Sequence, residues 1–176
     1  MGAHFLSEEV TKTDIQNLSK TQKLTISAAV MAIYIVLMYF TQSFAFGQYQ
    51  VRIATAIYAT AYLFPFLVLP LGLSNLLANM LMGGLGVFDI VGGGLVGILT
   101  AGSCALLGRY RRSPWFTAVP ITLIPALGVS TWLSQILGLP YWALAGSLLV
   151  GQAISGLVGA MLVQALARVW KREAAA

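Results

Sequence analysis

The chain has 176 residues, 59% of them hydrophobic and 9% charged, with a formal net charge of +5 and a mean hydropathy of +0.85. Soluble domains carry about 25% charged residues, so this composition excludes a water-soluble fold and leaves an all-α integral membrane protein. The positive charge does not point to nucleic acid, because Lys and Arg sit in short clusters beside apolar runs, where they orient membrane spans.

Residues 1–23 carry His4, Glu8, Glu9 and Asp14 and read as a cytoplasmic N-terminal segment able to form a short amphipathic helix. The first apolar run starts near Leu24, after those acids, and is long enough to span, which argues against a secretory signal. Six apolar segments follow, at about 24–43, 51–69, 70–84, 89–108, 114–137 and 141–169. The third is short and begins at Pro70, as a tilted, broken or interfacial helix would. In lipid every backbone polar group must be paired internally, and the alternating polarity of barrel strands is absent, so the runs are expected to be helices. The expectation is a compact bundle of six transmembrane helices over 24–170 with a cytoplasmic tail at 171–176. Cys104, the sole cysteine, lies inside an apolar run and says little about redox compartment.

The charges test the count. Lys12, Lys20 and Lys23 precede the first run, Arg109, Arg111 and Arg112 follow the fourth, and Arg168, Lys171 and Arg172 close the sixth. Six spans place all three clusters on one side, the cytoplasm, with both termini there. Trp115, Tyr110 and Trp170 fall near that face, where interfacial aromatics belong. Arg52 and Asp89 are the other charges between Leu24 and Ala167, and both fall at the external end.

Small residues recur at every fourth position in three segments: Ala28 and Ala32; Gly93, Gly97, Ala101 and Ala105 in line with Asp89; Ala143, Ser147, Gly151, Ser155 and Gly159. Such rows let helix backbones approach closely. The second and third rows read as packing within the bundle. The Ala28–Ala32 pair equally suits docking of another membrane subunit.

Amides and aromatics gather around the two isolated charges. Gln48, Tyr49 and Gln50 precede Arg52; Asn75 and Asn79 share a helix face; Trp132 and Gln135 approach the external end of the fifth segment; Tyr141, Trp142 and Gln152 lie in the outer half of the sixth. This set suits a flat, polar organic ligand, with rings stacking on Trp and Tyr while amides and a guanidinium read donors and acceptors. Blander readings stand beside it: Arg52 and Asp89 as snorkelling interfacial charges or a structural ion pair, and the amides as interhelical glue. Catalysis finds no support, since His4 is the sole histidine and no Ser/His pair, His cluster, acidic cluster or phosphate-cradling G-x-x-x-x-G-K-[ST] is present. No enzyme activity, cofactor or metal is therefore expected. The rivals to ligand capture are a solitary channel or scaffold and an intramembrane enzyme.

The runs "FGQYQVRIATAIYATAYLFP" (46–65) and "GLSNLLANMLMGGLGVFDIVGGGLVG" (72–97), with Ala28-x-x-x-Ala32 upstream, resemble the queuosine-precursor transporter (QueT-like) family of substrate-binding S components of energy-coupling factor (ECF) vitamin transporters. The likeness covers roughly residues 24–110; the last third matches in hydropathy and in "GLPYWALAGSLLVGQ". The resemblance implies a prokaryotic cell-membrane protein that binds a micronutrient from outside. It implies docking through Ala28 and Ala32 onto a transmembrane coupling subunit with two ATPases, then toppling to release ligand inside. Gln50, Arg52 and Asp89 fall on the family's motif positions. One departure stands out: where the family pattern often reads R-I-x-E, this chain has Thr55. Asp89 is then the remaining counter-charge for a cationic ligand, and cobalamin, rich in amide groups, is kept as an alternative to a queuosine precursor.

Overall fold

The structure, a computed structural model, describes residues 18–45, 51–82 and 85–173. Gln48, Tyr49 and Gln50, and the proposed amphipathic helix as far as residue 17, lie outside the described residues. Helix α1 covers Lys20–Ala45. Ser19 caps it, because its Oγ accepts from Gln22 N–H while Gln22 Oε1 accepts from Ser19 N–H. This reciprocal box satisfies two orphan donors and contributes about 1 kcal/mol.

A ten-residue 3₁₀ helix, Ile53–Tyr62, and a 3₁₀ turn, Pro65–Leu67, lead into α2, Val68–Leu81. Then come α3, Val87–Arg109, a 3₁₀ turn at Pro114–Thr117, α4, Ala118–Leu137, and α5, Tyr141–Glu173. No strand occurs among the described residues. Four helical stretches are long and apolar enough to cross a membrane: Lys20–Ser43, Val87–Arg109, Pro114–Leu137 and Tyr141–Val169.

All six expected segments are helical; four have spanning length, and Ile53–Tyr62 and Pro65–Leu81 are shorter apolar helices. The segments drawn at 51–69 and 70–84 are the short 3₁₀ helix with its turn and the 14-residue α2. Ten residues of 3₁₀ helix rise about 20 Å, short of the ~30 Å hydrocarbon core. The two short elements run one down and one up, so each charge occupies the end of the bundle that six segments imply.

The 3₁₀ helix is unusually long for its type, since runs beyond three or four residues are uncommon. It survives because its neighbours enclose it: Ala54 through Ala61 are all buried. Its slim cross-section and small side chains at Ala54, Ala56, Ala59 and Ala61 let all five α-helices pack against it. Tyr58 stacks on Tyr34 of α1 at 5.7 Å between ring centroids, and their hydroxyls lie 3.1 Å apart in the core. At the far end a Cβ on Gly108 would lie 2.1 Å from Tyr62 O, so only glycine admits this crossing.

The pairings fix relative direction. Along the 3₁₀ helix, Tyr58 meets Gly97 and Tyr62 meets Gly108, so α3 runs parallel to it; Ala45 of α1 meets Arg52 and Tyr34 meets Tyr58, so α1 runs antiparallel. Gln152 meets Thr55 and Gly159 meets Ala56, so α5 is parallel. Lys20, Lys23, Arg109, Arg111, Arg112 and Arg168 consequently gather at one end of the bundle, opposite Arg52 and Asp89. The two small-residue rows predicted for packing face inward at Gly93, Gly97, Ala101, Gly151, Ser155 and Gly159. Ala28 and Ala32 face outward.

Helix α3 ends in a Schellman close: Arg112 N–H donates to Leu107 O and Arg111 N–H to Gly108 O. The left-handed position of that motif is usually glycine; here Arg111 takes it, at φ 52. An L-residue there costs about 1 kcal/mol.

Candidate ligand site

Arg52 is 4% exposed and Asp89 3% exposed, so neither is an interfacial snorkelling charge within this fold. The guanidinium Nη1 donates to Asn75 Oδ1 and Asn79 Oδ1, each at 3.3 Å, and Nε reaches Ala45 O at 3.4 Å. Arginine carries donors alone, so both asparagines must turn their oxygens toward it. Their NH₂ groups then face α3, where Asn75 Nδ2 donates to Gly93 O at 2.6 Å and Asn79 Nδ2 to Asp89 O at 2.9 Å. The i, i+4 spacing read from the sequence is what lets one helix face present two amides to one fork.

The link between the two charges thus runs through Asn79 rather than through a direct ion pair, which corrects the structural-pair reading. Asp89 Oδ1 accepts from Trp132 Nε1 at 3.1 Å and Oδ2 from Leu85 N–H at 3.2 Å. The indole of Trp132 lies on Gly92, where a Cβ would approach its Cη2 to 2.9 Å.

On the other flank the 3₁₀ geometry matters. Arg52 is the residue before the 3₁₀ helix, and Thr55 N–H closes the first 3₁₀ hydrogen bond onto its carbonyl, which sets Thr55 one turn along from it. The Thr55 N–H and Ser155 Oγ each donate to Arg52 O at 2.9 Å. The Thr55 hydroxyl lies 2.7 Å from Arg52 O and 2.9 Å from Gln152 Oε1, so it bridges the two with a single proton to give. Every buried side-chain nitrogen and oxygen among the described residues has a partner. The result is one polar chain, Gln152–Thr55–Arg52–Asn79–Asp89–Trp132, crossing the bundle and tying together five of its elements.

The structure therefore brings together Arg52, Asn75, Asn79, Asp89, Trp132 and Gln152 from the predicted set. Gln135 is exposed and sits apart from the chain, in a cleft of about 320 Å³ framed by Phe88, Thr131, Trp132 and Ile136. Tyr141 is half-buried and donates to Leu127 O at 3.2 Å. Trp142 stacks edgewise on Tyr141 but is 78% exposed, so it stands on the outside of the bundle. Thr55 and Ser155 were missed as members of the polar chain. Ser155 lay within reach of sequence reasoning, because Gln152 and Ser155 share a helix face at i, i+3; Thr55 did not, because its place depends on the 3₁₀ winding.

The profile of the QueT transporter family matches residues 24–168. The chain belongs to the QueT transporter family. No curated protein and no solved structure matches the chain. Family membership gives this chain a transport role rather than a catalytic one, and the apolar helices agree with a place in the membrane. The match extends well past the region that carries the sequence resemblance and takes in Trp132, Gln152 and Ser155. The polar chain thus lies wholly inside the transporter domain. Among the described residues no cluster of three or more metal-ligating side chains occurs.

Proposed function

We propose that this protein is the substrate-binding component of an ECF importer, capturing a queuosine precursor or related pyrrolopyrimidine at the end of the bundle that holds Arg52 and Asp89. The observation that carries the reading is the buried polar chain itself. A cation and a carboxylate, each costly inside a bilayer, are positioned through amides at the end remote from the basic clusters. A flat heterocycle with adjacent donors and acceptors matches amides that can exchange one partner for another. The chain is closed in this state, so ligand entry replaces bonds that Arg52 and Asp89 make to the protein with bonds to the ligand.

In this reading the basic end faces the cytoplasm by the positive-inside rule, and the ligand arrives from outside a prokaryotic cell. Energy comes from two ATPase subunits through a transmembrane coupling subunit that docks on Ala28 and Ala32. Those alanines lie on the outward face of α1, with Leu24 and Ile33 exposed beside them. The chain contributes no phosphate-binding loop of its own.

The direct test is mass spectrometry of the small molecule that copurifies with the protein, followed by calorimetric titration of that molecule into ligand-free protein. A pyrrolopyrimidine bound one to one supports the reading. A corrinoid would replace the ligand assignment. Absence of any tight ligand, together with ion flux in liposomes, would favour the solitary channel.

A further inference from the structure

A second concavity, of about 880 Å³, lies at the opposite end of the bundle from Arg52. Tyr62 and Val68 form one wall, Ile98 and Leu106 of α3 the other, and Arg109 stands at the mouth. Gly102 makes the floor: a Cβ there would meet only Val68 Cγ1, at 3.8 Å, so the volume exists because a side chain is missing. Leu106 and Arg109 are exposed, which puts the groove on the outer surface of a bundle whose α3 is of membrane-spanning length.

An apolar slot in lipid has no hydrophobic drive of its own, since lipid tails are as apolar as leucine. Selectivity must come from its polar end. That end carries Arg109 and, just beyond, Arg111 and Arg112. Arg111 is held in the left-handed conformation where glycine is usual. That backbone keeps the basic run next to the groove in sequence, while Arg109 is the arginine that lines it. The length also fits. From Ile98 to Arg109 α3 rises about 16 Å, against about 15 Å for half of the hydrocarbon core.

We propose that this groove binds one anionic phospholipid from the leaflet at the arginine-rich end, with an acyl chain along Gly102 and the phosphate on Arg109. The site is separate from the polar chain around Arg52 and does not depend on which micronutrient the protein carries.

The test is native mass spectrometry of the full chain in neutral detergent, titrated with dioleoyl phosphatidylglycerol or dioleoyl phosphatidylcholine. The expected result is a single retained phosphatidylglycerol, favoured roughly tenfold over phosphatidylcholine. Gly102→Leu fills the floor and leaves every charge in place, so it should abolish that preference. Arg109→Gln should weaken it about fivefold, the value of one basic side chain at an anionic surface. Val68→Trp narrows the groove from the other wall and gives the same readout if Gly102→Leu does not accumulate. Equal retention of the two lipids would overturn the proposal. So would undiminished phosphatidylglycerol binding in the groove-filling variants, because the attraction would then be diffuse charge alone. Filled variants that keep the lipid but fail to assemble with a membrane partner would assign the groove to a protein contact instead.

Discussion

A Cβ on Gly93 would lie 2.4 Å from Asn79 Nδ2. This clearance sets the polar chain, because Asn79 is held between Asp89 O and the Arg52 guanidinium and cannot swing away without releasing one of them. Gly93→Ala should therefore displace the amide and cost about 1.5–3 kcal/mol, the range for a hydrogen bond to a charged group. Thermal unfolding in detergent measures this. The Gly93→Ala/Asn79→Ala pair should cost less than the sum of the single changes, since removing the amide removes the clash. Strict additivity would show that the two residues do not act on each other.

Arg52 is expected to be the residue on which binding depends most. Arg52→Ala should weaken ligand affinity at least tenfold, about 1.4 kcal/mol, in calorimetric titration. Arg52→Lys should fail to restore it. A single ammonium cannot reproduce the fork that holds Asn75 and Asn79 together while reaching Ala45 O. An unchanged dissociation constant in Arg52→Ala would remove the guanidinium from the ligand's surroundings.

The Thr55 hydroxyl meets Gln152 beside Arg52. Thr55→Glu brings a carboxylate one 3₁₀ turn below Arg52 and breaks that contact. The expected outcome is a shift of preference toward cationic ligands, read as the ratio of affinities for an aminomethyl-bearing pyrrolopyrimidine and its neutral analogue. A ratio equal to that of the unmodified protein would mean that Thr55 has no part in selectivity.

Ala28 and Ala32 face outward from α1, remote from the polar chain. Replacing both by Trp should leave ligand affinity within about twofold, because neither side chain touches the packed interior. Uptake by cells or proteoliposomes containing the coupling subunit and ATPases should be lost. Loss of affinity in the purified double variant would contradict the assignment of this face to docking.

Much of the fold was legible because lipid leaves few choices. A chain this apolar must pair its backbone within helices, and α1, α3, α4 and α5 appear within a few residues of the runs that predicted them, α5 running four residues past its own. The gathering of the basic clusters at one end was legible too, since their place follows from the order of the helical segments between them. The convergence of Arg52 with Asn75, Asn79 and Asp89 followed from polar groups having nowhere else to go.

What the sequence did not disclose is the winding of residues 53–62. Ala, Thr and Ile in that order are compatible with α or 3₁₀ helix, and local propensity differs too little to choose. The segment is enclosed by the surrounding helices, and its winding is seen only in the packed structure. That winding puts Thr55 N–H on the Arg52 carbonyl. It also aimed Ser155 at the Arg52 carbonyl. Composition and charge order determined a helical membrane protein with one basic end and a polar site at the other. Tertiary packing decided that Arg52 and Asp89 communicate through an amide instead of touching, because hydrogen-bond geometry depends on ångström-scale placement that no linear pattern encodes.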